Sequence, residues 1–366
     1  MGERAGRLAG LGLAAVLVAM LTAATARSHA APARPAAIDR SLDVYAEPAR
    51  LVRLRDGRRL NLLCTGRGAP TVLLESGLGD SMLDWRLVQP AIARTTRVCA
   101  YDRAGMGFSD PAHPPRTASA AVTDIEGLLR AADVRAPYVL VGHSLGSFYV
   151  RLFADRHPDL VAGMVLVDPA KEGQAARFEA AAKSMGEMAR SQSQATADCA
   201  AAAAAGRLAL NSATFERCAG APMRDAAYSD ALYAARTRQL LSPGYWRTMD
   251  SELGAMDTTS NDEVAAARRS YGDMPLIVLT ATDIALPGSM SANDKAALAS
   301  TWTIMHEELA RLSSRGINRP IGHAGHYIQI DQPQAVVAAI QEVVREARAV
   351  NRRHGLTPAA LANSSR

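Results

Sequence analysis

Excess charge is scarce in this sequence. Its 366 residues hold 41 basic and 36 acidic side chains, a formal net charge of +5. Residues 1–30 account for three arginines and one glutamate, a net +2, so the remainder carries about +3. That is too mild to argue for nucleic acid or an anionic membrane surface as a partner. Lysine is nearly missing: only Lys171, Lys183 and Lys295 occur, beside many alanines, a bias of composition rather than of function. No internal repeat is visible, and no His/Cys cluster has metal-ligand spacing, so no metal and no cofactor is expected. Cysteine is limited to four residues.

What is present begins with an export-like N-terminus. Arg4 and Arg7 form a positive start, and Leu8 to Ala26 carries no charge. Ser28-His29-Ala30 then offers small residues at the two positions a signal peptidase inspects. Residues 1–30 therefore read as a cleaved signal peptide, which places the mature chain outside the cell or in a periplasm. The alternative is an N-terminal membrane anchor, since 19 uncharged residues could just span a bilayer. Export gives the cysteines meaning. Cys64, Cys99, Cys199 and Cys218 allow three pairings. Local pairing, Cys64–Cys99 and Cys199–Cys218, is the simplest, and four free thiols are the alternative.

Residues 31–48, rich in Ala, Pro and Arg, read as a linker. Strand patterns follow: Leu51 to Leu63 is a pair turned at Asp56-Gly57, and Thr71–Glu75, Val98–Tyr101, Tyr138–Val141 and Val161–Val167 are short apolar runs. Helical periodicity lies between them, over Val122–Ala132 and Phe148–His157. This alternation predicts an α/β fold with a mostly parallel sheet covered on both faces. From 170 to 272 there is no convincing strand, only Ala-rich amphipathic stretches, which reads as a helical cap or lid insertion. Strand character returns at Pro275–Thr280 and near Ile317–Ile321. Helices follow each, at Lys295–Ser313 and about Gln334–Val350. The core is then 49–169 plus 273–350, with 351–366 a flexible tail.

Gly142-His143-Ser144-Leu145-Gly146 stands between a strand pattern and a helix pattern. A serine on so tight a turn needs glycine two residues to either side, and the turn lifts the hydroxyl above the sheet edge. The Leu145 N–H then faces a developing oxyanion. A serine nucleophile needs a general base and an orienting acid. His326, in Gly322-His323-Ala324-Gly325-His326-Tyr327 beyond the last strand, is the expected base, with His323 its competitor. For the acid two residues stand open: Asp168, at the end of the strand after the elbow helix, and Asp283, after the next strand.

Four ordered segments carry a resemblance to the α/β-hydrolase fold superfamily. They are Tyr101-Asp102-Arg103-Ala104-Gly105-Met106-Gly107-Phe108-Ser109, the elbow, Val161-Ala162-Gly163-Met164-Val165-Leu166-Val167-Asp168, and Gly325-His326-Tyr327-Ile328-Gln329-Ile330-Asp331-Gln332-Pro333. The chain looks like the esterase-like serine-hydrolase branch with a helical cap. The resemblance implies an eight-stranded sheet and sets the Cys64 and Cys99 strands side by side, favouring that disulfide. It implies a second oxyanion donor at Leu78 N–H, in Ser76-Gly77-Leu78. It further implies that Asp102 and Arg103 form an ion pair beneath the site.

The expected activity is hydrolysis of a small-molecule carboxylic ester through an acyl-enzyme. Serine at the elbow argues against dehalogenase or epoxide-hydrolase chemistry, which form the ester through a carboxylate. Peptidase, lactonase, carbon–carbon hydrolase and acyltransferase chemistry use the same triad, and a non-catalytic ligand-binding member is a further alternative.

Overall fold

The computed structural model describes residues 38–219 and 228–353. The proposed signal peptide, residues 31–37 of the linker and residues 354–366 lie outside the described residues. Eight strands form one sheet: β1 (Arg50–Arg53), β2 (Arg59–Thr65), β3 (Thr71–Glu75), β4 (Val98–Tyr101), β5 (Tyr138–His143), β6 (Val161–Val167), β7 (Leu276–Ala281) and β8 (Gly316–Ile321). Their order is β1-β2-β4-β3-β5-β6-β7-β8. Only the β1–β2 and β2–β4 pairings are antiparallel. The other pairings are parallel, as in β3–β5 and β5–β6.

Alternate side chains of each buried strand enter opposite apolar cores. On β5, Tyr138 and Leu140 join one core while Val139 and Val141 join the other. On one face lie α1 (Gln89–Ala93) and the long C-terminal α12 (Pro333–Arg353), which contributes Val336, Ile340 and Val343. On the other lie α2 (Ala118–Ala131), α3 (Gly146–Arg156) and α10 (Ala292–Ala310). Thr117 and Ser291 cap the N-termini of α2 and α10 by accepting from Ala120 N–H and Asp294 N–H.

Between β6 and β7 the described chain is wholly helical: α4 (Gln174–Ala181), α5 (Ser184–Ala204), α6 (Ala213–Ala219), α7 (Asp230–Leu241), α8 (Pro243–Met256) and α9 (Thr259–Ala267). Gly220-Ala221-Pro222 lies outside the described residues. A short helix, α11 (Ile328–Asp331), precedes α12. Two segments differ from expectation. Residues 40–46, expected within the linker, form a 3-10 helix whose Tyr45 is buried and donates its hydroxyl to Gln89. Helix α12 runs to Arg353, into what was expected as tail.

Both disulfides are formed. Cys64 and Cys99 are directly opposed on β2 and β4, with Cα atoms 4.0 Å apart. Cys199–Cys218 ties α5 to α6 across 19 residues.

Candidate active site

β5 ends at His143 and α3 begins at Gly146, so Ser144 sits in the turn between them. Its φ of +53° is a left-handed conformation that costs a non-glycine residue about 1–3 kcal/mol. Neighbouring strands hold it there: Ser144 N–H donates to the Val167 carbonyl at 3.1 Å, and Ala170 N–H donates to the Ser144 carbonyl at 3.1 Å. The flanking glycines are steric necessities. A Cβ on Gly142 would lie 2.7 Å from Val150 Cγ2, and one on Gly146 would lie 2.6 Å from the Ser76 carbonyl oxygen. Ser144 Oγ is buried and has no hydrogen-bond partner among the described residues.

His326 lies on the loop after β8, and its Nδ1 is 2.7 Å from Asp168 Oδ2. A carboxylate only accepts, so Nδ1 carries the proton and Nε2 is left with a free lone pair. Asp168 is fully buried at the end of β6. Its Oδ1 accepts from Ala281 N–H and from Trp302 Nε1–H, both at 2.9 Å. Burial would raise its pKa, but the His326 hydrogen bond and charge outweigh burial and hold it below the usual carboxylate range. Burial pushes His326 below the ordinary imidazole range, against the opposing effect of Asp168. Asp283 is exposed and accepts instead from the neighbouring Thr282 hydroxyl. His323, the competitor base, is exposed.

Ser76-Gly77-Leu78 leaves the end of β3 and passes over the serine. A Cβ on Gly77 would stand 3.1 Å from Ser144 Cβ and 2.8 Å from His143 Nδ1. The turn closes with Asp80 N–H donating to the Gly77 carbonyl at 3.3 Å, and Gly79 takes φ +72°, the third-residue geometry of a type II turn. Leu78 and Leu145 are both buried, and neither amide has an acceptor among the described residues.

The sequence reading missed a supporting group. His143 Nε2–H donates to the His326 carbonyl at 3.0 Å, while its Nδ1 faces Asp80 Oδ2 at 3.2 Å. Asp80 also accepts from the Tyr327 hydroxyl at 3.1 Å. Burial would raise the Asp80 pKa, but its contact with His143 more than compensates. Trp302 and His306 were missed as well. The His306 ring lies 4.4 Å from that of Trp302, tilted 55° to it, and burial pushes its pKa down to about 4, so it is neutral under ordinary conditions.

One expectation is overturned. Asp102 and Arg103 do not pair with each other. Asp102 accepts from Met82 N–H, Phe108 N–H and Asn61 Nδ2–H, which shape its own loop. Arg103 pairs with Glu75 and, from α8, with Glu252. Residues adjacent on an extended segment point apart, so each finds its partners on a different side.

A family model described as the alpha/beta hydrolase fold matches residues 70–220. An uncharacterised protein of Bacillus subtilis (strain 168), YqjL, is 26% identical over 278 residues, 76% of this chain and 85% of that protein. A 2-hydroxymuconate semialdehyde hydrolase of Pseudomonas sp. (strain CF600) is 36% identical over 117 residues, 31% of this chain and 41% of the hydrolase. Among solved structures, an ancestral haloalkane dehalogenase covers 82% of this chain, and all of its own, at a TM-score of 0.62 and 18% identity. A thermophilic esterase from Thermogutta terrifontis covers 82% of this chain and 99% of its own, at 0.56 and 20%. At such identities the structural likeness establishes the fold alone. The chain has the α/β-hydrolase fold, and its residues 70–220 match the family model of that fold.

Proposed function

We propose that this protein is an exported serine hydrolase that cleaves small carboxylic esters. The observation that carries the reading is the Asp168–His326 hydrogen bond beside a strained, buried serine. In this reading Ser144 Oγ attacks the ester carbonyl carbon while His326 Nε2 takes the hydroxyl proton. The tetrahedral oxyanion accepts from the Leu78 and Leu145 N–H groups. Collapse breaks the carbon–oxygen bond to the alcohol, which leaves with the proton from His326. Water then attacks the acyl-enzyme, again giving His326 its proton, and releases the acid and free Ser144. Asp168 keeps the imidazole in the productive tautomer throughout.

The helices of 170–272 act as the cap in this proposal. Tyr245 and Met249 of α8 meet the Gly77–Asp80 turn, where a Cβ on Gly79 would lie 2.8 Å from the Tyr245 hydroxyl. Tyr245, Trp246, Met185 and Met249 share an apolar core with Leu78 and Leu145, suiting an acyl chain. Phe215 of α6 is buried but is not part of this core. Two disulfides support an oxidising compartment. No described helix is long and apolar enough to cross a membrane.

A fluorophosphonate probe tests the nucleophile. Stoichiometric labelling at Ser144 supports the proposal, and labelling elsewhere or none refutes it. Hydrolysis of p-nitrophenyl esters of rising acyl length, with amides and lactones alongside, tests the substrate class.

A further inference from the structure

Arg103 is almost wholly buried, 3% exposed, and every donor it presents is used. Its Nη1 donates to Glu75 Oε1 at 2.8 Å and to the Ser76 carbonyl at 2.6 Å. Its Nη2 donates to the Gly77 carbonyl at 2.6 Å and to Glu252 Oε2 at 2.9 Å, and Nε donates to Glu252 Oε1 at 2.8 Å. One guanidinium therefore grips two successive carbonyls of the loop over Ser144 and, on its other edge, a carboxylate from α8.

The chemistry of the peptide group gives this contact a consequence. The Gly77–Leu78 bond is trans, so the Gly77 C=O and the Leu78 N–H point in opposite directions. Fixing the carbonyl on Arg103 fixes where the Leu78 N–H points. A cation on the carbonyl oxygen also draws electron density along the amide and strengthens the N–H as a donor. Short charge-assisted hydrogen bonds at 2.6 Å make the constraint tight.

We infer that Arg103 is a positioning residue for the Leu78 oxyanion donor, and that Glu252 links that donor to the docking of α8. The inference rests on the reading of Leu78 as an oxyanion donor. Glu252 holds two of the guanidinium's three nitrogens, and Glu252 is the point where α8 grips Arg103. When α8 lifts, Arg103 loses the bidentate partner that sets its plane, and the Gly77 carbonyl loses the fixed aim of its charged donor and keeps only the longer 3.3 Å bond from Asp80 N–H. The hole is complete only with the cap helix seated, so a water molecule entering an open site meets a weaker catalyst. Supporting the same coupling, Gly105 on the Arg103 loop abuts Thr248 of α8 so closely that a Cβ there would fall 2.0 Å from Thr248 Oγ1.

Two variants test this. Arg103→Lys keeps the charge but cannot bridge two carbonyls and a carboxylate. Glu252→Gln keeps the shape of the side chain and is the variant that decides if Arg103→Lys fails to fold. For p-nitrophenyl butyrate, Arg103→Lys is expected to lower kcat by about 100-fold, the scale for losing one oxyanion donor. Glu252→Gln should lower it by roughly 10-fold through loss of a charge-assisted pair. KM should stay within about threefold in both, because the donor acts on the transition state. Crystal structures of the variants should show the Gly77–Leu78 peptide rotated. A purely structural role would lower melting temperature while leaving kcat within threefold, and that result overturns the inference. An unmoved peptide in the Glu252→Gln crystal also overturns it. If a fluorophosphonate does not label Ser144 in the wild-type protein and no ester, amide or lactone is hydrolysed, the serine-hydrolase reading fails, and the crystal structures alone still decide whether Arg103 and Glu252 set the peptide.

Discussion

Asp168 and His326 meet at 2.7 Å although 158 residues separate them in the chain. The contact depends on β6 and the loop after β8 ending at the same edge of the sheet, with β7 between them. It separates the two candidate acids by experiment. Asp168→Asn should lower kcat by about 10⁴-fold, because an amide at that position favours the wrong imidazole tautomer. Asp283→Asn, altering an exposed carboxylate paired with Thr282, should stay within about threefold. Steady-state kinetics on one ester substrate reads both, and the reverse pattern would reassign the acid.

Removing the proposed nucleophile should give the largest effect. Ser144→Ala should lower kcat by about 10⁶-fold while circular dichroism stays unchanged. A variant that kept a tenth of the wild-type rate would place the chemistry elsewhere.

The pH profile follows from the direction of the His326 shift. The proposed base, His326, must be neutral, and burial lowers its pKa from 6.5, so the neutral form persists into mildly acidic solution. The acid limb of kcat/KM should therefore have its midpoint below pH 6.5, since that parameter reports the free enzyme. In whatever activity Asp168→Asn retains, the limb should move further down, because the Asp168 contact is what raises the His326 pKa. A wild-type midpoint above 7 would contradict the site geometry.

A stability prediction concerns Glu172, just past β6. Its carboxylate accepts from Arg151 of α3 at 2.8 Å and from Arg268, just after α9, at 3.1 Å. Burial would raise its pKa, yet Arg151 and Lys171 bring it down from 4.5 to about 2. A depressed carboxylate pKa contributes stability that is fully present above 4.5 and is lost as pH falls toward 2. Glu172→Gln should cost about 3 kcal/mol at pH 7 by urea unfolding, the shift from 4.5 to about 2 being worth ~1.4 kcal/mol per unit. The gap between wild type and variant should close progressively below pH 4.5. A gap that is constant with pH would mean that packing, not charge, sets the loss.

The sheet was legible because buried parallel strands read as short apolar runs. Thr71–Glu75, Val98–Tyr101 and Val161–Val167 coincide with their strands to the residue. Helix starts were read a few residues late, since α2 and α10 begin at cap residues, Thr117 and Ser291, ahead of their apolar periodicity. The 3-10 helix at Arg40–Ala46 was hidden in a polar, Pro-rich stretch, and it stands through Tyr45 and an Asp43 contact with Ser229. At the site, Ser144 and His326 announce themselves by local spacing. Their supports do not. Trp302 reaches Asp168 across 134 residues, and His143 reaches Asp80 across 63, and no periodicity encodes such pairs. The choice between Asp168 and Asp283 was open for the same reason: both follow strands at one sheet edge, and only the turn of the side chain separates them.

The shielded hydroxyl of Ser144 also bears on time. If Ser144 is the nucleophile, a hydroxyl shut away from solvent at rest should make every encounter a two-step event, in which the protein first opens and the reagent then enters. Covalent reagents should accordingly show a saturating rate: at high concentration, inactivation stops following the reagent and settles at the frequency with which the door swings. That plateau should be the same for small reagents of unequal intrinsic reactivity, because it belongs to the protein and not to the molecule that waits outside.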